Sequence, residues 1–232
     1  MFLIAFLMVE AWTLNPLHHA QYSFYPKPFR KNTSEIQLGA RSTLDRVDAE
    51  VPLALIYGLG NSTEIGLKYQ FSNRDQDFDK NQLKNSLGFG LKVAISKIET
   101  IQMDVQVGLG QNAGNGVVVG YDIYHALTKS FQTIYQSKVS LFEGHNGSKE
   151  IALVEFGLYP RVRFGNSFHV ISGLSYSTSI TSMVDYSAFD ISPGFEIRLN
   201  NGSKLQFLVD MGIAGASKQE PFLFNLGLIY DF

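Results

Sequence analysis

The sequence predicts an all-β fold, a transmembrane antiparallel up-and-down β-barrel of about twelve strands. Three observations lead there. Apolar residues recur with period two from about Glu35 to Phe232, which is the period of a strand. Most alternating segments run to about ten residues or more, whereas strands of soluble proteins are usually nearer five or six. The connections alternate between short and long, as they do when hairpin turns gather on one rim and loops on the other.

Composition narrows the alternatives. The chain has 232 residues, of which 45% are hydrophobic and 13% aromatic, with 21 Gly. The mean hydropathy is +0.00. This is too apolar for a disordered chain and lacks the runs of about 18 apolar residues that a membrane helix needs. A net charge of −2 gives no field of one sign that would attract nucleic acid. With no Cys, disulfide frameworks, thiolate metal sites and Cys nucleophiles are excluded.

The N-terminus stands apart. Met1 to Leu14 is an apolar stretch too short to span a bilayer, and it reads as the core of a secretory signal, although no Lys or Arg precedes it and Glu10 interrupts it. Ala20 before Gln21 is the candidate cleavage point. The predicted organisation is a signal over 1–20, a periplasmic tail over 21–34 and a barrel over 35–232.

The twelve segments span 35–45, 50–60, 63–73, 83–97, 99–111, 116–127, 130–142, 150–165, 167–179, 187–200, 203–214 and 221–232. In the fourth, Leu87, Phe89, Leu91, Val93 and Ile95 share one face, opposite Ser86, Gly88, Gly90, Lys92 and Ala94. In the fifth, Ile101, Met103, Val105, Val107 and Leu109 oppose Gln102, Asp104, Gln106, Gly108 and Gly110. Short connections follow the even segments, among them Asn200-Asn201-Gly202, a tight-hairpin signal. Longer ones, such as Asn73 to Gln82, follow the odd segments, and an even strand number puts both ends of the barrel on the short-turn, periplasmic rim.

Charge separates by face. The apolar face carries only Lys97, Glu99 and Glu150, all at segment ends. The other face carries Arg41, Glu64, Lys68, Lys92, Asp104, Asp122, Lys138, Glu155, Arg161, Arg163, Asp190, Glu196, Arg198 and Asp210, the predicted lining of a pore. Arg or Lys facing lipid at mid-membrane costs about 2–4 kcal/mol, a cost that a wet lumen removes. Aromatic residues form two belts: Tyr69, Phe71, Tyr176, Phe189, Phe222 and Phe224 near the long-loop rim, and Tyr57, Phe131, Phe164, Phe168, Tyr230 and Phe232 near the other. Pro160 and Pro193 fall inside predicted strands, where each removes a ladder hydrogen bond, so local bulges or misplaced registers are expected there. Alternation by itself also fits a soluble β-sandwich; strand length, loop alternation and the C-terminus separate the two.

The last eight residues, Asn225-Leu226-Gly227-Leu228-Ile229-Tyr230-Asp231-Phe232, carry a polar residue, Gly two later, and an aromatic ending. This resembles the β-signal of bacterial outer-membrane proteins, with Asn225, Gly227, Tyr230 and Phe232 at its key positions. The resemblance implies recognition of the last strand by the barrel-assembly machinery. Val51 to Gly60, then Glu64 to Tyr69, with Phe89 to Val93 and Gly173 to Tyr176, resemble the transporter-like MetA-pathway of phenol degradation family, which implies transport of small compounds.

Catalytic readings find little support. A lipid-facing hydrolase would need Ser, His and a third polar group together. His18 and His19 lie beside the signal, His125 faces lipid without a placed Ser and carboxylate, His145 lies in a loop, and His169 faces the lumen. The lumenal carboxylates match a similar number of cations, so ion pairs are expected, above all Arg161, Arg163 and Arg198 against Glu155, Asp190 and Glu196. Asp75, Asp77 and Asp79 alternate like a calcium loop but lack its later Gly and Glu. The Asn-x-Ser/Thr triplets at Asn32, Asn61, Asn146 and Asn201 read as turn chemistry, and Gly108 to Gly116 is no phosphate loop. No cofactor and no metal are expected. The expected partners are outer-membrane lipid, the assembly machinery and small solutes, in the bacterial outer membrane. The expected function is a narrow pore or transporter for small solutes. A plugged barrel with a structural or surface-interaction role is the alternative, and an outer-membrane hydrolase is the least favoured.

Overall fold

A computed structural model describes residues 34–43, 49–59, 62–72, 85–109, 115–142, 151–180, 187–199, 203–215 and 222–231. The signal and tail predicted over 1–34 lie outside them except for Ser34, as do the long loops, His145, Glu150, Phe232 and the Asp75 to Asp79 stretch.

The described strands are β1 (Ser34–Thr43), β2 (Ala49–Gly58), β3 (Thr63–Ser72), β4 (Asn85–Ala94), β5 (Glu99–Gly108), β6 (Asn115–Ala126) and β7 (Phe131–Phe142). They continue with β8 (Ile151–Phe164), β9 (Phe168–Ile171), β10 (Leu174–Ser179), β11 (Ser187–Ile191), β12 (Gly194–Arg198), β13 (Lys204–Gly215) and β14 (Phe222–Asp231). Every described pairing is antiparallel, and each strand from β1 to β8 pairs with the next. β9 and β10 are two halves of one pass, since both pair with β8. β11 and β12 are likewise halves of one pass along β13. β13 pairs with β14, and β14 pairs with β1 from Glu35↔Asp231 to Thr43↔Leu223, which closes the ring. The fourteen strands thus make twelve passes around a closed wall. Closure satisfies the backbone donors and acceptors of both terminal strands, each of which would otherwise cost several kcal/mol in lipid.

The bulges expected at the prolines are absent, because a missing donor does not require an inserted residue. Leu174 lies opposite Leu158 and Ile171 opposite Arg161, one register on both sides of the β9/β10 break. Ile191 lies opposite Met211 and Gly194 opposite Leu208, so the register also runs unbroken past Pro193. Ser172 N–H still donates to Pro160 O at 3.0 Å, and Val209 N–H to Pro193 O at 3.0 Å. Gly173 and Ser192 exchange both bonds, at 2.9 and 2.8 Å. Each proline therefore removes a single bond from one ladder. The register shift in this part of the wall falls instead between Phe189 and Asp190.

The two faces of the wall differ as the period-two pattern requires. Leu55, Ile65, Phe89, Ile101, Met103, Val119, Tyr135, Phe156 and Leu226 are exposed on the outside. Of the aromatic belts, Tyr57, Tyr69, Phe164, Phe168, Tyr176, Phe189 and Tyr230 are exposed on that same outer face. The inner face holds the buried polar set. The charges at segment ends are handled locally: the Glu99 carboxylate accepts from Tyr121 Oη at 2.6 Å and Ser96 Oγ at 2.8 Å, and Lys97 is exposed in a turn.

Candidate functional site

The candidate site is the inner wall of the barrel. Along each strand every second side chain points inward, so the register of neighbouring strands decides which inner groups meet. In β5 this selects Thr100, Gln102, Asp104 and Gln106, all buried. Across the wall the same rule brings in Glu64, Lys68, Lys92, Asp122, Gln136, Lys138, Arg161, His169, Glu196, Lys204, Gln206 and Asp210.

These groups are buried in oppositely charged sets. Lys68 Nζ reaches Asp104 Oδ1 at 2.6 Å, crossing β4 where Gly88 leaves room for its stem. Lys92 Nζ lies 3.5 Å from Asp122 Oδ2, and Gln136 Nε2 donates to Asp122 Oδ1 at 2.7 Å. Lys138 Nζ pairs with Glu155 Oε1 at 3.2 Å, directly across the β7–β8 ladder. Arg161 pairs with Glu196 diagonally across β9, and Gln206 Nε2 donates to the second oxygen of Glu196 at 2.8 Å. His169 Nδ1 at 3.5 Å and Arg198 Nε at 3.9 Å face the oxygen that Arg161 holds. Lys92, Asp122 and Glu196 are at most 1% exposed, so their charges depend on one another rather than on water.

The pairing differs in part from the expected one. Glu196 gathers Arg161 and Arg198, but Glu155 goes to Lys138. Arg163 is exposed at the short-turn rim, where it donates to Gly165 O at 2.7 Å and Asn166 Oδ1 at 2.9 Å. Its guanidinium caps a turn whose Gly165 has φ 66°, a conformation that suits glycine. Asp190 and Asp210 lie farther up the same wall. Arg41 lies in β1 opposite Asn225 of β14.

Apolar inner residues were not predicted. Tyr159 is 1% exposed, Ile134 lies opposite it across the β7–β8 ladder, and Leu153, Ile171 and Leu208 are buried elsewhere on the same inner face. The Tyr159 ring lies flat against two glycines: a Cβ on Gly157 would stand 2.4 Å from it, and one on Gly173 2.9 Å. Gln102 lies over Gly120 in the same way, at 2.6 Å. Long residues set against glycines fill a barrel interior by alternating large and small. Parity with Arg161 and the flanking Gly157 would have revealed Tyr159 from sequence.

Of the histidines within the described residues, His169 is buried and His125 is exposed on the outer face near the short-turn rim. No group of three or more His, Asp or Glu that could hold a metal occurs among the described residues. In β14, Gly227 lies opposite Gly39 and Gln206, and Tyr230 is exposed outward.

No protein family matches the chain, the MetA-pathway family included, and no curated protein does. Solved structures do. The KdgM porin superposes with a TM-score of 0.62 at 10% identity, covering 85% of this chain and 99% of that one. An outer-membrane channel from Pseudomonas putida F1 gives 0.62 at 11% identity, with 89% and 97% covered. The translocator domain of the autotransporter NalP from Neisseria meningitidis gives 0.55 at 9% identity, with 97% and 96% covered. At such identities the likeness shows the fold, an outer-membrane β-barrel. The fold and the apolar exterior together place the chain in the bacterial outer membrane.

Proposed function

We propose that this barrel is a narrow, charge-lined pore for small solutes. The observation that carries the reading is the inner wall, where ionised and amide side chains from most strands converge inside a closed ladder. A wall that only had to be filled could be apolar, since buried ion pairs are weak contributors to stability. Lining a passage for polar solutes gives such groups a use. The similar porin and channel folds support the reading. The lining comprises Arg41, Lys68, Lys92, Asp104, Asp122, Lys138, Glu155, Arg161, Arg163, Asp190, Glu196, Arg198 and Asp210. Asn225, Gly227, Tyr230 and Phe232 serve as the signal read by the assembly machinery. No catalytic role is assigned to any residue.

One observation favours a second reading. The paired inner side chains are nearly free of solvent contact, and in a barrel used only as a surface or structural element the same network would act as the plug. Single-channel recording of the refolded protein in a planar bilayer separates the two. Stepwise currents are expected. A folded, heat-modifiable barrel that carries no current overturns the pore in favour of the plug.

A further inference from the structure

On the outer face, the wall around β5 ends toward the short-turn rim in charge. Glu99 opens β5 in line with Ile101 and Met103, each 44% exposed on the lipid side. A hydroxyl holds each of its carboxylate oxygens: Tyr121 Oη donates to Oε1 at 2.6 Å, and Ser96 Oγ to Oε2 at 2.8 Å. Ser96 Oγ also accepts from Ile98 N–H at 3.3 Å, which ties the carboxylate to the β4–β5 turn. A carboxylate has about four acceptor sites, so lone pairs remain for a further donor. Beyond Glu99 the β5–β6 ladder adds one step, with Tyr124 N–H donating to Ile98 O at 2.7 Å. The step after that sets Lys97, in the turn, next to His125, and both residues are exposed. No hydrogen bond or ion pair from a described residue engages either side chain.

Glu99 and His125 lie at nearly one level of the bilayer. Register rows climb as they pass around the wall. The row that starts at Glu35, near the short-turn end of β1, reaches Asp104 at the middle of β5 and Leu153 near the long-loop end of β8. One step along a row from Glu99 to Ile123 therefore rises, and two residues back down β6 bring His125 to about the level of Glu99. The two are diagonal neighbours, about 7–8 Å apart along the backbone surface. The apolar band begins above them with Ile101, so phospholipid headgroups flank this level.

Chemistry chooses among headgroups. The Glu99 carboxylate repels a headgroup whose only charge is phosphate. It accepts from N–H donors, which the ammonium of ethanolamine carries and the trimethylammonium of choline lacks. In an ethanolamine headgroup one oxygen and two carbons separate the phosphorus from that ammonium, a span that side chains reaching from Glu99 and His125 can bracket. We infer that the outer face holds one phosphatidylethanolamine here, with its ammonium on Glu99 and its phosphate on Lys97 and His125. Its acyl chains run up the wall over Ile101 and Met103. The inference does not depend on whether the lumen conducts.

The test is native mass spectrometry of the refolded full chain in detergent micelles doped with equal amounts of dioleoyl phosphatidylethanolamine, phosphatidylcholine and phosphatidylglycerol. The ethanolamine lipid is expected to be retained several-fold more than either of the others. Equal retention of the three overturns the inference. Preference for phosphatidylglycerol overturns it too, since the cations would then act without the carboxylate. The variant Glu99→Gln should lower retention of the ethanolamine lipid to that of the choline lipid, and an unchanged preference would place the bound lipid elsewhere and sink the proposed site. Should that variant fail to refold, Lys97→Ala, in the exposed turn, replaces it: retention of the ethanolamine lipid is expected to fall several-fold, and an undiminished one overturns the phosphate contact.

Discussion

The wall from β2 to β7 and the wall from β8 to β13 solve the same problem in different ways. The first is built of unbroken strands of ten to twelve residues. Its long inner side chains lie over glycines, Lys68 over Gly88 and Gln102 over Gly120. Its charges cancel locally, Lys68 with Asp104 and Lys92 with Asp122. The second wall has two passes split at Ser172-Gly173 and Ser192-Pro193, and two ladder bonds lost to proline. It is held by the buried Tyr159 and by a carboxylate shared among several partners. The difference teaches that a barrel can vary the inside of its wall freely as long as register is kept. The outer face, answering to lipid, exposes large apolar side chains on both walls among the described residues.

The largest effect should come from the regular wall. Asp122→Ala leaves Lys92 and Gln136 without the carboxylate they share, in a site that is 0% exposed at Asp122. A loss of about 3–5 kcal/mol is expected, measured by urea unfolding in lipid vesicles. Asp190→Ala on the broken wall, where the carboxylate is only half-buried, should cost clearly less. Equal costs would erase the contrast between the buried and the half-buried carboxylate.

Next in size is Met103→Arg, at the middle of β5 and 44% exposed to lipid. A cost of about 2–4 kcal/mol in the same assay is expected, and a negligible one would mean that this face is not in the bilayer.

A smaller effect separates the two packing devices. Gly157→Val drives a side chain into the Tyr159 ring, while Gly66→Ala meets nothing nearer than 3.8 Å. The first should cost about 1–3 kcal/mol and the second close to nothing. If Gly157→Val is silent, Tyr159 does not pack as a strut.

The smallest concerns the seam. Pro193→Ala restores a backbone donor opposite the carbonyl of Val209, whose own N–H already reaches Pro193 O. A gain of about 0.5–1.5 kcal/mol should appear as slower amide exchange at residues 192–194. Faster exchange there would show that proline stiffens the seam more than it weakens it.

Much of this contrast could be read from the chain. The regular wall was legible because Leu87 to Ile95 and Ile101 to Leu109 alternate without exception, and one face of each takes the charge. All twelve passes follow from that period and from the spacing of the turns. The broken wall was less legible. Pro160 and Pro193 suggested bulges, yet a proline costs a donor and leaves the residue count alone, so the register held and the shift fell at Phe189/Asp190. Partner choice was also hidden. Parity gives the face of a residue, whereas Lys68 meets Asp104 two strands away only because Gly88 lets its stem pass. An aromatic residue in such a strand is expected to face lipid, and it is the parity of Tyr159 with Arg161, together with its glycine neighbours, that marks it as internal.

The pairing of β1 with β14 joins residues nearly two hundred positions apart, as in Glu35 opposite Asp231. The contact that seals the cylinder is thus the most distant one along the chain, and it forms last if strands are laid down in order. Until then two raw edges run the full height of the wall, and neither can be left in hydrocarbon. Insertion should behave as a single event. A chain shortened within its final strand should therefore accumulate outside the bilayer as an edge-exposed, aggregation-prone species, with no stable eleven-pass barrel between.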